Sequence, residues 1–122
     1  MSKILIIDDS ADLLDALQLV LQHMGHSTET LMKARDIFEV VTRCQPDMMI
    51  IDIHLPWIDG REMCRQLKTN EATKHIPILL FSATPKDLTD YKKYYADDFI
   101  EKHFDLKVLA GKIRNLLSSP SE

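Results

Sequence analysis

With 122 residues, 45% of them hydrophobic and 28% charged, the chain has the size of one globular domain with its own core, which excludes a disordered segment. A formal net charge of −4, with no Lys/Arg cluster on any candidate helix, disfavours direct nucleic-acid binding, which relies on a basic face. No apolar run approaches membrane-spanning length and the N-terminus lacks a signal-peptide pattern, so a cytoplasmic protein with no membrane partner is expected.

In chain order, the first element is an apolar run over residues 4–7 that stops at two adjacent acids, Asp8 and Asp9. Such a run reads as a strand buried on both faces, as in the interior of a parallel sheet. Leu13, Leu14, Leu17, Val20, Leu21 and Met24 then repeat at helical spacing, with Gly25 as the stop. Residues 26–30 are a weak strand candidate. Ile37, Val40, Val41 and Cys44 mark a second helix, closed by Gln45-Pro46. Residues 48–51 form a second apolar run, and it ends in Asp52. HLPWIDG is a loop by its Pro and Gly, and Met63, Cys64 and Leu67 mark a third helix.

After the polar stretch NEATKHI comes PILLF, a third apolar run, ending at Ser82. A tyrosine-bearing helix is expected over about residues 86–95. Phe99-Ile100 is a short strand that leads to Lys102, and Leu106, Leu109, Ala110, Ile113, Leu116 and Leu117 form the face of a last helix. Residues 118–122 read as a frayed tail. Cys44 and Cys64 lie on separate helical patterns without CxxC spacing, so reduced thiols are expected.

Strands alternating with helices imply an α/β fold with right-handed crossovers, most economically a doubly wound three-layer sandwich built as a single domain over residues 1–122. Ligands of such sheets bind outside the carboxyl ends of the strands. Asp8-Asp9, Asp52, Ser82 and Lys102 all fall at those ends and share one rim. Singly, each has a plain structural role: Asp9 or Ser10 as a helix cap, Asp52 in a turn, Ser82 as a cap, Lys102 in solvent. Together they gather three carboxylates that repel by roughly 4 kcal/mol per pair at about 4 Å and an effective dielectric near 20. A cation is expected there, and carboxylates with room for water suit Mg2+. A hydroxyl and an ammonium opposite a metal-bound carboxylate make a phosphoryl-transfer arrangement, with Asp52 as nucleophile and Ser82 and Lys102 donating to phosphoryl oxygens.

The blocks ILIIDDS, MMIIDIHLPWIDG, PILLFSA and DDFIEKHF, in this order, resemble the response-regulator receiver domain, the phospho-acceptor module of two-component signalling. The resemblance implies a flavodoxin-like sheet of order 2-1-3-4-5 with five helices. It implies Mg2+ held by Asp8 (largely through water), Asp9, Asp52 and the main-chain carbonyl of His54. It also implies Asp52 as phosphorylation site, Ser82 as switch hydroxyl, Lys102 as phosphate partner and Phe99 as switch aromatic. His54 and Thr84, each two residues past a site residue, would modulate phosphoryl lifetime, and Asp59 and Gly60 match the loop after the site, with Gly60 supplying backbone freedom. The implied donor is a sensor histidine kinase or phosphotransfer protein in a phosphorelay, the output an unidentified protein target, and phosphorylation-linked homodimerisation is common in the family.

Several positions depart from the family pattern. His103 stands where a proline with a cis bond is usual, and because a non-proline cis bond costs about 2.5–4 kcal/mol, a trans Lys102-His103 bond is expected. Tyr95-Ala96 replaces the usual Gly-Ala, and the segment from Ser82 to Lys102 is about two residues shorter than usual. Tyr91, Tyr94 and Tyr95 either serve an unusual partner or dimer, or simply pack this element. Trp57 is expected to be a partly exposed packing residue.

The chain reads as a stand-alone receiver or as one excised from something longer. The resemblance implies a signalling switch rather than a turnover enzyme, one expected to catalyse only its own phosphoryl transfer and dephosphorylation. The alternative is a receiver-like scaffold that signals without phosphorylation. A hydrolase with an aspartate nucleophile would need a second acid where His54 stands. A flavin-binding protein would need a phosphate loop where the two acids stand.

Overall fold

The computed structural model describes residues 2–33 and 36–118. The order is β1 (Lys3–Ile7), α1 (Ala11–His23), β2 (Ser27–Leu31), α2 (Ile37–Cys44), β3 (Met48–Asp52), α3 (Gly60–Lys68), β4 (Ile78–Ser82), 3-10 turns at Pro85–Leu88 and Tyr91–Tyr94, β5 (Asp98–Glu101) and α4 (Leu106–Ser118). The strands pair in parallel as β2-β1-β3-β4-β5, the flavodoxin-like order. Ser118 closes α4, and the rest of the expected frayed tail lies outside the described residues.

Strand side chains alternate between two cores. Ile4, Ile6, Met48, Ile50, Leu79 and Phe81 face α1 and α4, which contribute Leu14, Leu17, Leu21, Leu109 and Ile113. Leu5, Ile7, Met49, Ile51, Ile78 and Leu80 face the opposite layer, with Val41 from α2 and Met63 and Leu67 from α3. Burial on both sides explains why β1, β3 and β4 read as unbroken apolar runs. Both thiols are free and buried in the second layer, and burial pushes the Cys64 thiol up to about 12.

Helix starts are fixed by capping side chains. Ser10 accepts from Leu13 N–H, Asp36 from Phe38 N–H and Asp59 from Arg61 N–H. Of the two candidates for the first cap, Ser10 holds the position and leaves Asp9 at the rim. Gly25 ends the α1 turn with φ of 94°, a conformation glycine adopts without steric cost.

The five expected helices become four. The segment over residues 86–95 forms the two 3-10 turns instead, separated at Thr89 and Asp90. Leu88, Tyr91 and Tyr94 recur at a strict three-residue spacing, which matches the 3-10 period and eclipses their side chains along one edge. Leu88 is buried and Tyr91 and Tyr94 are half-buried. No described peptide bond is cis, and His103 turns the chain with φ of 67°.

Candidate functional site

Asp8, Asp52 and Ser82 stand at or just past the ends of three adjacent central strands, and all are buried, Asp8 and Ser82 fully and Asp52 with 1% exposure. Asp9 is exposed at the mouth. One oxygen from each of Asp8, Asp9 and Asp52 lies within 4.8 Å of the others, a cluster able to hold a metal ion.

The rim fixes the two buried acids separately. Asp8 Oδ1 accepts from Ser10 N–H at 2.8 Å, and Asp52 Oδ1 accepts from His54 N–H at 3.1 Å. Lys102 Nζ donates to Asp52 Oδ2 at 3.2 Å and lies 3.2 Å from Asp8 Oδ2 as an ion pair without hydrogen-bond alignment. Asp8 therefore keeps a buried oxygen with no directed donor, which is the oxygen a cation would satisfy. Burial pushes the Asp8 carboxyl above its usual value and the Asp52 charge adds to this, while Ser10 N–H and Lys102 pull it back. Burial alone would lower Lys102, but the charges of Asp52 and Asp8 outweigh it and hold the ammonium above its usual value. Hard carboxylate oxygens with unsatisfied valence fit Mg2+.

Lys102 owes its placement to main chain as well as charge: its N–H donates to the Ser82 carbonyl at 2.8 Å. The turn at His103 lies beyond that anchor. Ser82 Oγ accepts from Thr84 N–H at 3.0 Å, so Thr84 is tied to the serine it was paired with on sequence. Phe99 is half-buried, with the Tyr91 ring 4.7 Å away and Lys112 Nζ 5.2 Å from its centroid.

The loop after β3 is pinned by an antiparallel bridge between His54 and Asp59. Gly60 was expected to supply backbone freedom; in the structure it allows close approach instead. A Cβ there would lie 2.0 Å from the Asp52 carbonyl oxygen, and Gly60 N–H donates to the Ile53 carbonyl at 2.8 Å. The first turn of α3 thus rests on the main chain of Asp52. Asp59 accepts twice from the Arg61 guanidinium, which holds its carboxyl below the usual range. Trp57, half-buried as expected, donates from Nε1 to the Met32 carbonyl at 3.2 Å.

Two contacts near the site were not foreseen. His54 Nε2 lies 2.9 Å from Asp87 Oδ2, across 33 residues. The Arg61 and Arg65 guanidiniums both lie over the Tyr94 ring, 5.3 and 5.4 Å from its centroid. Periodicity carries no signal for either, because each joins residues from different crossovers. Tyr91 and Tyr94 pack within the fold, which favours the packing role for those two, while Tyr95 stays exposed. Among the described residues no helix is long and apolar enough to cross a membrane.

The model of the response regulator receiver domain matches residues 4–114. Response regulator ArlR of Staphylococcus saprophyticus is 33% identical over 119 residues, covering 96% of this chain and 53% of its own length. The chain thus spans about half the length of the curated relatives it matches. A signal receiver domain of a signal transduction histidine kinase from Syntrophus aciditrophicus superposes with a TM-score of 0.87 at 32% identity, covering 97% of this chain and 91% of that one. Response regulator TrrA from Thermotoga maritima, crystallised with Mg2+ and beryllium fluoride, gives a TM-score of 0.85 at 26% identity, covering 95% of this chain and 99% of that one. With the sheet order, the acidic rim and this match in agreement, the chain belongs to the response-regulator receiver family, the phospho-accepting switches of two-component signalling.

Proposed function

We propose that Asp52 accepts a phosphoryl group in a Mg2+-dependent reaction and that the product switches protein–protein contacts. The observation that carries this reading is the buried Asp52 carboxylate, in contact with the Lys102 ammonium and clustered with Asp8 and Asp9. A carboxylate oxygen of Asp52 attacks phosphorus, the bond from phosphorus to the donor breaks, and the donor leaves with the electron pair and takes up a proton. The donor is a phosphohistidine of a sensor kinase or phosphotransfer protein, or a small acyl phosphate. Bound by Asp8, Asp9, Asp52 and the His54 carbonyl, Mg2+ would neutralise charge on the transferring oxygens.

Lys102, already held at Asp52, would donate to one phosphoryl oxygen, and Ser82 to another after leaving its contact with Thr84. Phe99 would follow the Ser82 segment, with Tyr91 moving beside it. Hydrolysis of the acyl phosphate resets the switch, so the domain catalyses only its own loading and unloading. Two cores around one sheet support a single domain over residues 1–122. We further propose a cytoplasmic setting, a protein rather than nucleic acid as direct partner of this domain, and a phosphorylation-linked homodimer among the outputs. Nothing in the site favours the phosphorylation-independent scaffold.

Intact-mass spectrometry after incubation with Mg2+ and acetyl phosphate tests the reading. A single phosphoryl adduct is expected, absent in Asp52→Asn and in EDTA. An adduct that survives Asp52→Asn would overturn the assignment of the acceptor.

A further inference from the structure

The 3-10 turn Tyr91–Tyr94 is gripped at both ends. At its start the Tyr91 ring packs on Phe99. At its end the Tyr94 ring meets two guanidiniums of α3, those of Arg61 and Arg65. Residues three apart in a 3-10 helix share one edge, about 6 Å apart along the axis. Tyr91 therefore cannot follow Phe99 far without drawing Tyr94 off α3.

Arg61 is the better fixed of the two cations. Arg65 is exposed and pairs with Glu62 on its own helix. The Arg61 side chain is only 22% exposed, and its Nε and Nη2 donate to the two Asp59 oxygens, which sets the plane of the guanidinium. Nη1 lies 3.8 Å from Asp90 Oδ1, a buried oxygen with no hydrogen-bond partner, in the residue directly before the turn. One guanidinium thus faces Asp59 in the loop after β3, Asp90 and the Tyr94 ring. α3 itself cannot yield, because Gly60 rests on the Asp52 carbonyl and Met63, Cys64 and Leu67 are buried.

We infer that Arg61 is a positioning residue that holds the Tyr91–Tyr94 turn against α3 in the resting arrangement, and that loading of Asp52 draws Tyr94 out of this hold. The inference rests on the phosphorylation reading above, in which Phe99 and Tyr91 move with the Ser82 segment. The resting arrangement is marked by Ser82 Oγ turned to Thr84 N–H and Lys102 seated on Asp52. A contact made in one arrangement and lost in the other biases their balance by its own free energy. The Arg61 contacts accompany the resting arrangement, so weakening them favours the loaded one. A group that mimics the phosphoryl then binds more tightly. Arg61 touches none of the reacting atoms and acts through the turn alone.

The test titrates the whole chain with beryllofluoride and Mg2+ by calorimetry. Beryllium bonds a carboxylate oxygen, and its fluorines stand in for phosphoryl oxygens. Tyr94→Leu, which removes the ring, is expected to bind about two- to tenfold more tightly than the parent. Tyr94→Phe keeps a ring face for the cation and should stay near the parent. Arg61→Met removes the hold from the other side and should gain likewise, since the residue 61 N–H still donates to Asp59. In that background Tyr94→Leu should add nothing. A merely structural role would lower stability in urea without tightening the mimic. Unchanged or weaker binding in Tyr94→Leu, an equal gain in Tyr94→Phe, or an undiminished gain in the Arg61→Met background would each overturn the inference while leaving phosphorylation intact. A parent chain with no Asp52-dependent beryllofluoride binding would overturn both.

Discussion

The two halves of the rim are built differently. On the side of β1 and β3, the acids emerge from strands whose apolar residues are all buried, each loop leads into a capped helix, and Gly60 lays α3 directly on the Asp52 main chain. On the side of β4 and β5, Ser82 and Lys102 are joined by two four-residue 3-10 turns, and Tyr95 and His103 both stand at positive φ, 63° and 67°. The first half holds charge in place by close packing. The second is made of short turns with less regular hydrogen bonding, the kind of segment that opens at low free-energy cost. A switch needs both: a fixed acceptor, and beside it a segment that can rearrange around a new group.

Substitutions can break this contrast. The largest effect is expected from Gly60→Ala, whose new Cβ would overlap the Asp52 carbonyl and force apart helix and acceptor. A loss of about 3 kcal/mol in urea unfolding is expected, together with slower phosphoryl loading. Unchanged loading would mean that the packed half is not what aligns the acceptor. Next is Asp8→Asn, which removes a buried charge that burial and Asp52 both disfavour. Stability in the absence of metal should rise by on the order of 1 kcal/mol, while Mg2+ binding measured by calorimetry weakens. The smallest effect is expected from Tyr95→Gly in the other half. It relieves a left-handed residue, and a gain of under about 1 kcal/mol is expected, since glycine also loosens the unfolded chain. A destabilised Tyr95→Gly would show that the turn is held by the tyrosine side chain rather than strained by it.

The same contrast explains what was legible in the sequence. β1, β3 and β4 announce themselves because burial on both faces leaves no polar residue between their ends, and the acids that follow mark the rim. The four α-helices announce themselves by apolar spacing. The helix expected over residues 86–95 failed because Leu88, Tyr91 and Tyr94 satisfy the 3-10 repeat as well as one side of an α-helix. Asp52 and Lys102 could be brought together from topology alone, since both follow strands of one parallel sheet. The contact of His54 with Asp87 could not, because it depends on how far each loop rises above the sheet. For Gly60 the residue was legible and its reason was not: a close approach leaves no mark in sequence that distinguishes it from a turn.

Lys102 has a mechanical consequence. β5 is a four-residue edge strand, and such a strand has few ladder bonds to keep it from peeling. The residue that follows it is bonded through its main chain to β4, and its side chain reaches past β4 to the ends of β3 and β1. The edge is therefore tethered to the centre of the sheet at the same atoms that ready the acceptor. Any ligand that draws the ammonium away from Asp52 and Asp8 also slackens that tether, so fraying of the edge and occupancy of the rim become one coupled event.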